Sequence, residues 1–225
     1  MAHSIPTRQR VLTEAMRLFG EQGYSATSVA QIEAAAGLKS GSGGLYRHFA
    51  SKKKLLEAGL REQLASKPEL MEFVENPGQL SQLPLRERLL AVARAGLARL
   101  QAERDLNRIM LRDLRFYPEL VELVRTEEIN GIQKALARWL KGQIDPTPDL
   151  DWDALSAVLM NGVSHYWALR DALGSHPSGI GESRYLETLV DLVVVRMNHS
   201  GAPVANRNLS SAASSADPRM DRGTP

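Results

Sequence analysis

The residues best placed to do chemistry lie in two neighbouring blocks, Lys39-Ser40-Gly41-Ser42-Gly43-Gly44-Leu45-Tyr46-Arg47-His48 and Ser51-Lys52-Lys53-Lys54. Neither block assembles a nucleophile with a base, so the chemistry on offer is recognition of an anion. Arginine presents paired donors that match the acceptors of guanine, whereas tyrosine, histidine and serine reach phosphate or sugar. Arg47 and Lys39 are therefore expected to carry most direct readout of base edges, with Tyr46 and His48 reaching the backbone or else packing the small domain. Ser51 can cap a helix whose first turn holds the lysines, which would put free backbone N–H groups, the positive dipole end and ammonium charge where a phosphate could sit. The full set of candidate DNA contacts is Thr27, Ser28, Lys39, Ser40, Gly41, Ser42, Gly43, Gly44, Tyr46, Arg47, His48, Lys52 and Lys53.

Charge is distributed in keeping with this reading. Residues 1 to 65 hold nine Lys/Arg against five Asp/Glu, and the other 160 residues hold nineteen against twenty-one. A basic head on a slightly acidic body is the asymmetry of a nucleic-acid-binding domain joined to something else. The chain has no cysteine, which removes disulfides, thiolate catalysis and cysteine-bound metal. Its five histidines show no metal-binding spacing, and no metal or cofactor is expected. Asp149-x-Asp151-x-Asp153 begins like a calcium loop, but Ala154 stands where glycine is needed and Met160 where the closing glutamate belongs. Gly41-x-Gly43-Gly44 follows a helix and not a strand, which argues against a nucleotide loop. No run is apolar enough to span a membrane and the start lacks a signal-peptide core, so a cytoplasmic location is expected.

The elements that must position these residues all read as helices, and the fold class is all-α. Apolar periodicity predicts a first helix over Thr7 to Gln22, stopped at Gly23, and a short second one over Ser28 to Ala36, with Ser28 and Gln31 spaced as a capping box. Ala30, Ile32 and Ala35, with Leu38, are its expected inward side. Leu45 to Phe49 reads as a third helix, and a fourth begins after Ser51 and ends or bends at Pro68. Longer helices follow, over about Leu85 to Ala102, Leu106 to Arg115, Pro118 to Gly142, Trp152 to Leu173 and Arg184 to Asn198. The expected organisation is a helix-turn-helix domain over residues 1–50, a larger helical domain over 51–199, and a disordered Ser/Ala/Pro-rich tail over 200–225.

The run Leu18-Phe19-x-x-x-Gly23-Tyr24-x-x-Thr27-Ser28-Val29, then Ile32-x-x-x-Ala36-Gly37-Leu38, then Gly43-x-Leu45-Tyr46-x-His48-Phe49-x-Ser51-Lys52-Lys53-x-Leu55-Leu56, resembles the tetracycline-repressor (TetR) family of bacterial regulators. The resemblance covers roughly the first 60 residues. It implies a homodimer, three DNA-binding helices, a fourth connecting helix, and a divergent ligand-binding domain whose last two helices pair with a second subunit. It also implies repression relieved by a small molecule. Nine steps separate Gly37 from Tyr46 where the family usually has seven, which places a two-residue insertion at the start of the reading helix.

In the body, Met110, Asp113, Phe116 and Tyr117, and Asn161, His165 and Tyr166 on the eighth helix, are candidate ligand-pocket residues. The aromatic members equally suit a core or a dimer seam. Leu186, Leu189, Val190, Val193, Val194 and Met197 form a broad stripe on the last helix, expected at the dimer interface or else buried within the chain. The expectation as a whole is a non-enzymatic regulator that binds palindromic double-stranded DNA and an unidentified small-molecule effector. An activator, or an enzyme or carrier with a vestigial DNA-binding head, are the competing readings.

Overall fold

Five apolar side chains at helical spacing, Val11, Leu12, Ala15, Met16 and Phe19, give the first helix a stripe that needs cover, and in the computed structural model all five are buried. The structure describes residues 5–65, 74, 78, 80–144 and 149–199, so Pro68, the Asp145–Pro148 linker and the 200–225 tail lie outside the described residues. Among those described there are nine α-helices and no strand. In the head they are α1 (Thr7–Gln22), α2 (Val29–Ala35) and α3 (Lys52–Ala65), with a 3₁₀ turn at Gly44–Arg47 between the last two. In the body they are α4 (Leu85–Ala102), α5 (Arg104–Arg112), α6 (Pro118–Val124), α7 (Asn130–Lys141), α8 (Trp152–Leu173) and α9 (Glu182–Asn198).

Two departures from the expected elements have physical causes. The helix expected over Leu106 to Arg115 starts and stops early, and a 3₁₀ turn at Leu114–Phe116 leads into the proline that opens α6. The helix expected over Pro118 to Gly142 contains one turn of π-helix, Arg125–Ile129, in which the Asn130 N–H bonds back to the Arg125 carbonyl. Such a wide turn admits one extra residue and swings the following side chains around the axis.

The buried apolar groups form two clusters. The first joins α1, α2 and α3 to Leu106, Ile109, Leu114, Leu120, Leu123 and Val124 of the body, so the head borrows part of its core from α5 and α6. The second packs α4, α7, α8 and α9 around Trp139, Trp167 and Tyr166. Buried stripes of this kind are the main favourable term in folding, at about 25 cal/mol per Å² of apolar area.

α1 crosses α5 at very short range. A Cβ placed on Gly20 would lie 2.6 Å from the Cα and 2.5 Å from the Cβ of Asp105, closer than real Cβ atoms come to backbone. Across the same crossing the Arg112 guanidinium donates to the carbonyls of Phe19 and Gly20, the latter at 3.2 Å. Substituting Gly20→Ala must therefore push two helices apart, an overpacking that costs roughly 1–3 kcal/mol. We expect its thermal midpoint to fall by several degrees, and an unchanged midpoint would show that the crossing is looser than described.

Candidate nucleic-acid interface and ligand cavity

Ser28 caps α2 as expected: its hydroxyl accepts from the Gln31 N–H at 3.2 Å, and the Gln31 side chain returns a bond to the Ser28 N–H at 2.7 Å. Ala35 is exposed, however, and the inward side of α2 is Ile32, Glu33 and Ala36. Glu33 is fully buried and does local work: its Oε1 accepts from the Leu45 N–H at 2.9 Å, which fixes the start of the next element. Nothing in the sequence beyond its charge marks Glu33 for this role.

The third helix expected over Leu45 to Phe49 is a single 3₁₀ turn, Gly44–Arg47. Gly41 and Gly43 take left-handed backbone angles, with φ of +71° and +74°, and so coil the chain before it instead of starting an α-helix. Leu45 and Phe49 anchor the turn in the first core cluster. Lys39, Ser40, Gly41, Ser42, Tyr46, Arg47 and His48 are all exposed. Among the described residues, the side chains of Lys39, Arg47 and His48 form no ion pair and no hydrogen bond. Ser40 turns its hydroxyl onto the Ala30 carbonyl at 3.1 Å, tying the loop to α2.

Other candidate contacts are engaged internally. Thr27 is 1% exposed and its hydroxyl donates to the Gly23 carbonyl at 2.7 Å, so it braces the turn after α1 and offers nothing to a duplex. The Lys52 ammonium lies 4.2 Å from the ring centre of Tyr24 and 5.8 Å from that of Phe19. Burial pushes its pKa down, against the pull of Asp113. Burial likewise pushes the Tyr24 phenol up to about 12, with Tyr117 adding to the shift. Lys53 pairs with Glu119 of α6 at 2.5 Å, and Lys54 with Glu57 at 2.8 Å. What the start of α3 keeps for an anion is backbone, capped as expected by the Ser51 hydroxyl, which accepts from the Lys54 N–H at 3.1 Å.

In the body, α4, α5, the π-turn, α7 and α8 enclose a cavity of about 590 Å³, within the size range of small-molecule sites. Of the expected pocket residues, Met110, Asn161 and His165 line it. The other four do not. Asp113 accepts from the Tyr24 N–H at 3.3 Å and from Arg112 at 3.1 Å, Phe116 is exposed beneath Arg115, and Tyr117 packs its ring on Tyr24. Tyr166 is buried elsewhere, donating to the Ile180 carbonyl at 3.1 Å and stacked on His176. Trp167, the neighbour of His165 and Tyr166 in the sequence, lines the cavity as well, and Arg99, Asn107 and Glu128 line it without a signal in the sequence. Asn107 is buried and its amide donates to the carbonyls of Leu100 and Glu103, each at 3.0 Å, which holds the corner between α4 and α5.

The stripe expected at a dimer seam is a core stripe. Leu186, Val190, Val193 and Met197 are at most 2% exposed within the chain itself, and Leu189 and Val194 are half-buried against the same cluster. The outward apolar groups of α9 are Leu192 and Val195, at 65% and 55% exposure.

Residues 11–58 match the family model described as "Bacterial regulatory proteins, tetR family". In this stretch the chain is similar to that family. A curated relative, the uncharacterized HTH-type transcriptional regulator YvkB of Bacillus subtilis (strain 168), is 26% identical over 136 residues, or 60% of this chain and 67% of that protein. Likeness of fold to solved structures extends through the body. Salmonella enterica GusR superposes with a TM-score of 0.63 at 23% identity, covering 88% of this chain and 98% of that one. FadR of Bacillus subtilis, solved in complex with stearoyl-CoA, superposes with a TM-score of 0.56 at 18% identity, covering 86% and 99%. No helix among the described residues is long and apolar enough to cross a membrane.

Two variants probe the interface. Arg47→Ala removes an exposed cation without structural partners, and we expect an unchanged melting midpoint with a loss of about 1–3 kcal/mol in sequence-selective DNA binding. Equal affinities of wild type and variant for target and scrambled duplexes would remove Arg47 from readout. Glu33→Ala leaves the Leu45 N–H buried without an acceptor, a cost of about 1–3 kcal/mol, and should lower both the melting midpoint and DNA affinity. Retention of both would show that the reading turn does not depend on Glu33.

Proposed function

We propose that this DNA-binding transcriptional regulator acts as a homodimeric repressor, released from a palindromic site when a small molecule enters the cavity. The observation that carries the reading is the position of α5, which belongs to the cavity and to the head at once. Asn107, Met110 and Leu111 face the cavity, while Arg112 at the end of the same helix bonds the last turn of α1. Next to it Asp113 accepts from Tyr24, and on the far side Arg104 and Arg108 hold Asp171 of α8, the latter at 2.7 Å. Burial would raise the Asp171 pKa, but the two guanidiniums outweigh it and hold the carboxyl below its usual range.

A ligand that shifts α5 would move Arg112 and with it the angle of the head. A dimer reads two half-sites about 34–36 Å apart, so a small change in head angle spoils the simultaneous fit. Repression is lifted only as far as the ligand prefers the arrangement that cannot bind. The proposed DNA face is the loop from Lys39 to Gly44 with Ser28, Tyr46, Arg47 and His48, supported by the backbone at the start of α3. FadR was solved with stearoyl-CoA, and the stearoyl chain of that ligand, not its phosphorylated head, supports an elongated, largely apolar guest here. We assign the chain no catalytic role, and place the dimer seam on the outward side of α9 around Leu192 and Val195, because the inner stripe is already consumed.

A gel shift with duplexes from around the chain's own coding region tests the reading. Binding should be sequence-selective and steeply salt-dependent, and binding that ignores both sequence and salt would end it. For the seam, Leu192→Glu with Val195→Glu should convert the dimer to monomer in analytical ultracentrifugation without lowering the melting midpoint of the monomer fold. A double variant that sediments as the wild type would place the seam elsewhere.

A further inference from the structure

The cavity wall carries an imbalance of buried charge. Arg99 of α4 pairs with two carboxylates, Glu128 of the π-turn and Glu103 at 2.9 Å. All three side chains are largely buried, at 13%, 10% and 18% exposure. One guanidinium cannot balance two carboxylates, and the second oxygen of Glu128, Oε2, is buried without a hydrogen-bond partner. A buried carboxylate oxygen left without a partner is costly, and a guest that supplies a donor would remove that cost. A second polar atom in the same wall is also unpartnered, the indole Nε1 of Trp167, a residue 2% exposed.

Among the described residues lining the cavity only Arg99 and Glu128 are acidic or strongly basic, and Arg99 is already committed twice. The remaining wall is dominated by groups such as Val92, Leu100, Ile132 and Leu159, with Asn161 and His165 among the exposed residues. Glu128 sits within the π-turn Arg125–Ile129, a kind of turn found frequently at functional sites. Burial, followed by the opposing pull of Arg99 and the push of Glu128, moves the Glu103 carboxyl above its ordinary pKa, as expected when two acids compete for one cation.

The geometry points to an effector that is an apolar cation, a protonated amine on a hydrophobic body, bound with its ammonium at the Glu128 carboxylate. This inference rests on the reading of the cavity as the effector site. A carboxylate or phosphate head would add a third negative charge beside Glu103 and Glu128 and is disfavoured there, whereas an ammonium completes the unpaired oxygen and balances the group.

Isothermal titration of the full-length chain with three probes of equal chain length, decylammonium, decanol and decanoate, tests it at neutral pH and below their micellar range. Decylammonium should bind at least tenfold more tightly than either of the others. Glu128→Gln should lower its affinity at least tenfold while leaving decanol within about twofold. Decanoate equal to or tighter than decylammonium, or an ammonium affinity indifferent to Glu128→Gln, would overturn the assignment. Should the variant melt early, the ranking of the three probes on the wild-type chain decides the matter. If none of the three binds while salt-sensitive operator binding persists, the cationic effector falls and the DNA-binding reading stands. If the ammonium preference holds while no selective DNA binding is found, the charge assignment stands and the regulator reading fails.

Discussion

Most of what this chain can do depends on the crossing of α1 and α5. A head of about fifty residues buries too little apolar surface to be secure alone, because small domains hide a smaller fraction of their surface. Here Leu106, Ile109 and Leu114 complete the cluster built by Val11, Phe19 and Leu45, so that head and body share one core. Gly20 permits the approach and Arg112 fixes it through two carbonyls. A joint made in this way transmits displacement, since packed interiors respond to a shift by rearranging and not by yielding smoothly.

The lysines at the start of α3 show how a charge pattern can mislead. Read along the chain, Lys52, Lys53 and Lys54 form a phosphate clamp. In space, Lys52 sits over the aromatic pair Phe19 and Tyr24, Lys53 reaches across to Glu119, and Lys54 folds back on Glu57. The first two are struts of the same joint, linking α3 to α1 and to α6. Exposed pairs of this sort contribute about 0–1 kcal/mol each, so Lys53 and Lys54 could still exchange their partners for phosphate, whereas Lys52 would have to leave the aromatic rings first. The burden of readout therefore shifts to Arg47 and Lys39, and the burden of phosphate contact to backbone N–H groups.

Long amphipathic helices were legible because period and breakers agree: Thr7–Gln22, Leu85–Ala102 and Trp152–Leu173 fall where their stripes begin and end. The Ser28 capping box was legible for the same local reason. The turn at Gly44–Arg47 was not, since the four-residue spacing of Leu45 and Phe49 suits an α-helix, and the left-handed glycines before it decide the outcome. The stripe on α9 gave the correct buried face but not the neighbour that buries it, because periodicity reports burial and not the identity of the cover. Glu128 carried no local signal at all. Its place in the cavity depends on a widened turn and on Arg99, twenty-nine residues earlier.

The size of the polar joint matters for control. Between α5 and the head it consists of the Arg112 bonds to two carbonyls, the Asp113 bond to the Tyr24 N–H, and the Lys53 pair with Glu119 reached through α6. Intramolecular hydrogen bonds contribute about 0.5–1.5 kcal/mol each, and exposed ion pairs less. Allosteric coupling free energies are typically 1–3 kcal/mol, the scale of one or two such bonds. A joint of this size holds the head in one orientation without a guest, yet lies within reach of the differential binding energy a small molecule in the cavity can supply. A joint sealed by many more buried bonds would be beyond the reach of such a ligand, and one with none would leave the heads unaligned before any ligand arrived.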